Sequence, residues 1–93
     1  DNVVIKVFAN FRDICGGKTV TLNIKDNQSI ISVLDQLIEQ FPLMDEELFT
    51  NEKELKPLVH VFINGRNIIH LDGLTTKVKE TDQIALFPPV AGG

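Results

Sequence analysis

Cysteine and histidine are scarce in this sequence, and their scarcity excludes several kinds of site. Cys15 is the only cysteine among 93 residues, so neither an internal disulfide nor a cluster of thiolate metal ligands can form. His60 and His70 are the only histidines, and no pattern of cysteines or carboxylates completes a metal-binding set around them. We therefore expect no metal site, and we expect Cys15 to be a buried thiol rather than a catalytic one.

Long apolar runs and an excess of basic residues are also missing. No run approaches the roughly 20 apolar residues of a membrane-spanning helix, and the amino terminus lacks the basic and apolar regions of a signal peptide. The net charge is −4, whereas nucleic-acid-binding proteins present a basic face. We expect a cytoplasmic protein that binds neither membranes nor nucleic acid. The acidic run at residues 45–47 fits either a basic partner or a solvated loop.

The residues that are present fit one small folded domain. Hydrophobic residues make up 43% of the chain and charged residues 24%, which is ordinary for a globular protein. Alternating apolar residues predict strands, and helical spacing from Ile30 to Phe41 predicts one main helix after an N-cap at Ser29. Single helical turns are expected at residues 11–15 and 44–49, with a type I′ turn at Asn64-Gly65. The predicted strands are residues 3–9, 18–24, 58–63, 66–69 and 83–87, and residues 74–80 are a connector.

One helix can cover only one face of such a sheet, which leaves the other face partly exposed. Phe8, Phe62 and Phe87 each alternate with the core residues of their strands, so they should share the uncovered face. Exposed aromatic patches mark partner sites, and we expect these three residues to form a docking surface. The alternative is that the strands have the opposite phase and the phenylalanines belong to the core.

The chain contains no recognisable catalytic machinery. The segment Gly16-Gly17-Lys18-Thr19 lacks the first glycine of a phosphate-binding loop, and it lies between two strands instead of opening a helix. No Ser-His-Asp pattern is present either. We expect a protein that is acted on by other enzymes and has no active site of its own.

The last residues of the sequence predict the reactive group. Because glycine has no Cβ, Gly92 and Gly93 can enter a channel too narrow for other residues. The carboxylate of Gly93 becomes an electrophile once another enzyme converts it to an acyl-adenylate. The alternative is that this ending has no function. We predict a folded domain over residues 1–87 and a flexible tail over residues 88–93, which is Pro88-Pro89-Val90-Ala91-Gly92-Gly93.

These features resemble the MoaD/ThiS family of ubiquitin-like sulfur carriers. Residues 82–93 resemble the end of MoaD, the small subunit of molybdopterin synthase, and residues 61–68 resemble the central hairpin of the family. Residues 8–12 resemble the segment after the first strand. The resemblance implies an α+β fold of the β-grasp (ubiquitin-like) type. Its mixed sheet would have four to five strands, with one main helix packed on one face.

The resemblance also implies a chemistry. An E1-like adenylating enzyme of the MoeB type would adenylate Gly93 with ATP, and a sulfurtransferase would then supply sulfur to form a thiocarboxylate. The tail would insert into a MoaE-type large subunit and donate sulfur to cyclic pyranopterin monophosphate. Pro88, Pro89, Val90 and Ala91 would line the channel of that partner. ATP would be used by the activating enzyme, and the chain itself would bind no cofactor.

Other functions remain open. The insert at residues 43–57 resembles archaeal MoaD-like proteins, some of which are small protein modifiers joined to lysines of target proteins. Carriers for thiamine synthesis or tRNA thiolation share the same chemistry. A third possibility is a β-grasp binding module that never uses its terminal carboxylate.

Overall fold

The computed structural model describes residues 2–89, so Asp1 and residues 90–93 lie outside the described part of the chain. The described residues contain seven strands, three α-helices and two short 3-10 turns. In chain order these are β1 (Asn2–Val7), α1 (Asn10–Cys15), β2 (Thr19–Asn23), β3 (Gln28–Ser29), α2 (Ile30–Gln40), α3 (Met44–Leu48), β4 (His60–Ile63), β5 (Arg66–Asn67), the turns Ile68–His70 and Gly73–Thr75, β6 (Lys77–Val78) and β7 (Gln83–Phe87).

Five strands form one mixed sheet in the spatial order β2-β1-β7-β4-β5. β1 is antiparallel to β2 and parallel to β7, while β4 is antiparallel to β5 and to β7. The last strand of the chain therefore occupies the centre of the sheet and is hydrogen-bonded along both edges. The predicted β-grasp architecture, a mixed sheet with one main helix on one face, is confirmed.

α2 covers one face of the sheet because its apolar residues recur at helical spacing. The Oγ of Ser29 accepts a hydrogen bond from the backbone N–H of Ser32 at 3.3 Å, which confirms the predicted N-cap. The helix ends at Gln40, two residues before Pro42. Its buried residues are Ile30, Val33, Leu34 and Leu37, and they pack in one core with Val3, Ile5, Val7, Val20, Leu22, Val61, Ile63, Ile84 and Leu86.

The predicted fourth strand over residues 66–69 is wrong beyond Asn67. The side-chain Oδ1 of Asn67 accepts a hydrogen bond from the N–H of Ile69 at 3.1 Å. That bond starts the 3-10 turn Ile68–His70 and takes the chain out of the sheet. A local side-chain acceptor has here replaced the hydrogen bonds of a strand.

The first strand and the predicted connector also differ from the predictions. β1 ends at Val7, and Ala9 has a φ of 52°, so Ala9 leaves the sheet and is exposed instead of joining the core. β4 begins at His60 rather than at residue 58. Within the predicted connector, β6 pairs with β3 in a separate two-stranded sheet. Strands of two residues are too short to show an alternating pattern in the sequence.

Candidate functional site

Phe8, Phe62 and Phe87 form one cluster on the sheet face opposite α2. The Phe8 and Phe87 rings are stacked, with centroids 4.3 Å apart and planes inclined by 10°. Phe62 meets Phe87 edge-on, with a centroid distance of 5.3 Å and an angle of 83°. All three side chains are half-buried, whereas the neighbouring strand residues Val7, Val61, Ile63 and Leu86 are buried. The predicted strand phase is confirmed, and the role of the cluster in docking stays a prediction.

The register of the three central strands brings these rings together. Val7 lies beside Leu86 in the parallel pair, so Phe8, the next residue, is level with Phe87. His60 lies opposite Phe87 in the antiparallel pair, and Phe62 lies opposite Ala85. Because side chains alternate between faces along a strand, His60, Phe62, Ala85 and Phe87 all project away from α2.

An open hollow of about 470 Å³ lies beside the cluster. Its floor includes Ala85, which the register places between Lys6 on one side and Phe62 on the other. An alanine between two long side chains leaves a depression on the central strand. Other residues that line the hollow are His60, Gly65, Gln83, Phe87 and Pro88. The surface is mostly apolar with a few polar groups, which is the usual composition of a binding site.

Arg12 fixes the outer ring of the cluster. Its guanidinium carbon lies 5.1 Å from the centroid of the Phe8 ring, within the range of a cation–π contact. Its Nε donates a hydrogen bond to the carbonyl oxygen of Val7 at 2.9 Å. Phe8 is therefore held between Arg12 and Phe87, although it lies beyond the end of β1.

The tail begins at the cluster. Pro88 follows Phe87 directly and is buried, whereas Pro89 is exposed. The predicted site residues Val90, Ala91, Gly92 and Gly93 lie outside the described residues. Six residues from Pro88 to Gly93 span roughly 20 Å when extended.

Cys15 and Gly16-Gly17 are not among the residues that line the hollow. Cys15 is buried, and burial raises the pKa of its thiol, which opposes formation of a nucleophilic thiolate. No group of His, Cys, Asp and Glu side chains able to hold a metal ion occurs in the described part of the chain. Gly16 ends α1 with a left-handed φ of 76°, so Gly16-Gly17 is a helix stop and not a phosphate loop. None of the helices described between residues 2 and 89 is long and apolar enough to cross a membrane.

Sequence reasoning missed part of this site. Lys6 and Ala85 project from the uncovered face, and both follow from the same alternation that placed the phenylalanines. His60 also lines the hollow, and its alternation with Val59 and Val61 was a usable signal. The pairing of β1 with β7 was not visible, because no local pattern identifies the neighbour of a strand.

Comparison with known proteins identifies the family. The model of the ThiS family matches residues 5–93, which is nearly the whole chain and includes its last residue. This chain belongs to the ThiS family. A relative named small archaeal modifier protein 3, from Haloferax volcanii, is 36% identical over 89 residues, covering 96% of both chains. A protein assigned as a sulfur carrier in Archaeoglobus fulgidus is 34% identical over 73 residues, covering 77% of this chain and 83% of the relative.

Solved structures of similar proteins share the fold. The crystal structure of SAMP1 from Haloferax volcanii superposes with a TM-score of 0.88 at 28% identity, covering 100% of both chains. A protein of Pyrococcus furiosus assigned as subunit 1 of molybdopterin converting factor has a TM-score of 0.76 at 23% identity, covering 96% of this chain and 98% of its own. At that identity the second comparison shows the fold alone.

Proposed function

We propose that this ThiS-family protein is a ubiquitin-like carrier whose terminal Gly93 carboxylate is activated by a partner enzyme. The observation that carries the proposal is the family match, which runs through Gly92 and Gly93. The geometry of the site supports it. The tail leaves the central strand beside an apolar hollow and an aromatic cluster, so a single partner can hold the domain and receive the tail.

The proposed reaction uses the Gly93 carboxylate and no side chain of the folded domain. A carboxylate oxygen of Gly93 attacks the α-phosphorus of ATP on an E1-like adenylating enzyme, and pyrophosphate leaves. A sulfide equivalent supplied by a sulfurtransferase then attacks the acyl carbon and displaces AMP, which gives a thiocarboxylate. Cys15 is an unsuitable relay for this sulfur, because it is buried and its raised pKa keeps the thiol protonated.

For the acceptor, we propose cyclic pyranopterin monophosphate in molybdopterin synthesis, with this chain as the small subunit beside a MoaE-type large subunit. The support is the sequence around the tail. Phe87 and Pro88 line the hollow, and Pro89, Val90 and Ala91 follow them with side chains small enough for a narrow channel. Carriers for thiamine synthesis or tRNA thiolation would share the activation step and differ only in this acceptor.

A specific comparison favours a second function, conjugation to proteins. The relative that is 36% identical over almost the full length of both chains is named a small archaeal modifier protein. In this alternative, a lysine amine of a target protein attacks the activated acyl carbon, AMP leaves, and an isopeptide bond forms. Both functions use the same activated Gly93 and differ in the nucleophile.

Mass spectrometry of the protein from its own cells separates these alternatives. An intact mass in which one oxygen of Gly93 is replaced by sulfur, together with co-purification of a MoaE-type subunit, supports the synthase function. Trypsin has its last cleavage site after Lys79, so a conjugated lysine would carry residues 80–93. That remnant on many proteins supports the modifier function. If neither form is present under sulfur-replete growth, the proposed activation of Gly93 is wrong.

A further inference from the structure

We infer that the uncovered sheet face recognises a partner segment that presents one apolar side chain beside a carboxylate. This inference rests on the proposed function, because the partner is the enzyme that activates Gly93. It specifies which kinds of side chain this enzyme must present to the sheet face. The inference depends on three features: the shape of the hollow, the distribution of charge around it and the proton on His60.

The shape of the hollow fits one apolar side chain. Ala85 forms part of the floor, and the rings of Phe62 and Phe87 stand beside it in an edge-to-face pair. The Phe8 ring stacks on Phe87, so this wall is already packed in the free protein. A preorganised apolar hollow of this kind is where an anchor residue of an interface docks.

The charge around the hollow is opposite to that of the whole chain. The net charge of the protein is −4, yet the charged residue that lines the hollow is Lys6. A second hollow shares Phe62 and Gly65 with the first and is lined by Arg66. Within the described part of the chain, no acidic residue lines either hollow.

Neither cation has a carboxylate partner among residues 2–89. Between residues 2 and 89, the ion pair that forms is Lys53 with Asp45, at 3.8 Å. The two carboxylate oxygens of Asp82 accept hydrogen bonds from the Asn64 side chain and the Lys79 backbone N–H, each at 2.8 Å. Lys6 and Arg66 are therefore available to a carboxylate on the partner.

His60 offers a hydrogen-bond donor on the same surface. The Oδ1 of Asn67 accepts from the Ile69 N–H at 3.1 Å, which fixes the orientation of the amide and turns its Nδ2 toward His60. That Nδ2 lies 3.2 Å from the His60 Nδ1. An amide nitrogen only donates, so Nδ1 is the acceptor in this pair and the uncharged ring carries its proton on Nε2. The Nε2–H is left to donate to the partner.

The test is the exchange of pyrophosphate into ATP by the purified E1-like adenylating enzyme, measured as a function of carrier concentration. We expect Lys6→Glu to raise the KM for the carrier on the order of tenfold at low salt, because a rim charge steers association. The kcat should not change, because the tail is untouched. Added salt should reduce the difference between the variants and the wild type.

Lys25→Glu is the matched control. It makes the same change in net charge, but Lys25 lies beside Gln28, Ser32 and Gln36 at the start of α2 and does not line the hollow. We expect its KM to change by less than about twofold, as for an isolated surface charge. Ala85→Leu tests the apolar part, since it fills the floor without removing any group. It should raise the KM on the order of tenfold and leave the far-UV circular dichroism unchanged.

The outcomes separate this inference from the proposed function. If the wild-type carrier supports no exchange at all, the proposed activation is wrong, and the inference falls with it. If the wild type is activated but Lys6→Glu and Lys25→Glu have equal effects, the acidic partner is refuted while the proposed function stands. A normal KM for Ala85→Leu would likewise refute the apolar anchor alone.

Discussion

Replacing Phe87 with alanine should weaken docking more than it lowers the stability of the fold. Phe87 lies on the uncovered face of the central strand, where it contacts both Phe8 and Phe62. The matched control is Ile84→Ala, three residues earlier on the same strand. Ile84 has no exposed surface and belongs to the core under α2. The two substitutions therefore remove apolar side chains from opposite faces of one strand.

The structure gives the expected magnitudes. Phe87 makes two ring pairs, each worth about 0.5–1.5 kcal/mol, and its half-exposed position leaves no closed cavity. We expect Phe87→Ala to lower the free energy of unfolding by about 1–3 kcal/mol and Ile84→Ala by about 2–5 kcal/mol. Domains of this size unfold with about 5–15 kcal/mol, so we expect both variants to fold at 25 °C. An anchor residue costs about 2 kcal/mol or more in binding, which is roughly 30-fold in Kd.

Two assays separate the effects. Because the chain has no tryptophan or tyrosine, urea unfolding is followed by far-UV circular dichroism. Docking to the purified adenylating enzyme is measured by titration calorimetry. We expect Phe87→Ala to show the larger loss of affinity and Ile84→Ala the larger loss of stability. If Phe87→Ala changed the Kd by less than about threefold, or if Ile84→Ala weakened docking equally, the docking role of the aromatic cluster would be refuted.

Four further predictions concern the tail, the hairpin and two titratable side chains. Gly93→Ala should abolish activation and leave the unfolding curve unchanged, and retained pyrophosphate exchange would contradict the carrier function. Gly65→Ala should lower stability by about 1 kcal/mol, because Gly65 has a φ of 81° and a side chain there is strained though not crowded. Gly17→Ala, which also has open space and lacks a left-handed φ, should be nearly neutral in the same urea titration. Burial raises the pKa of Cys15, so its contribution to stability is present below the ordinary thiol pKa and is lost as the pH rises through the raised value. Because the thiol is buried, maleimide labelling at pH 8 should be much slower in the native protein than in urea, and equal rates would contradict the buried thiol. Nitrogen-15 NMR at neutral pH should find His60 protonated on Nε2, since Nδ1 faces the Asn67 amide, and a proton on Nδ1 would refute the assignment.

The alternating pattern predicted the two faces of the sheet correctly because one face is buried. Once Val61 and Ile63 are core residues, Phe62 must project the other way, and a shift by one residue would expose the whole core face. The same reasoning located Phe8 and Phe87. The turn at Asn64-Gly65 was also predictable, since both residues adopt positive φ values of 52° and 81°.

The features that the sequence did not predict are those that depend on contacts distant along the chain. β3 and β6 are two residues each, and they form because the backbone of one reaches the other across nearly fifty positions. The end of β5 depends on one hydrogen bond, which the Asn67 side chain accepts from the Ile69 N–H. The hollow depends on Ala85 lying between Lys6 and Phe62, and these residues come from three strands whose order is not encoded in any short segment.

The position of β7 links the fold to the proposed carrier function. If the tail followed an edge strand such as β2 or β5, fraying of that strand would move the start of the tail relative to the docking surface. β7 is instead bonded to β1 on one side and β4 on the other, and Ile84 and Leu86 fix its inner face in the core. Its outer face contributes Ala85 and Phe87 to the hollow. The strand that carries the tail is thus also the strand that builds the proposed docking surface. A partner bound to that surface would therefore meet residue 88 at a fixed place.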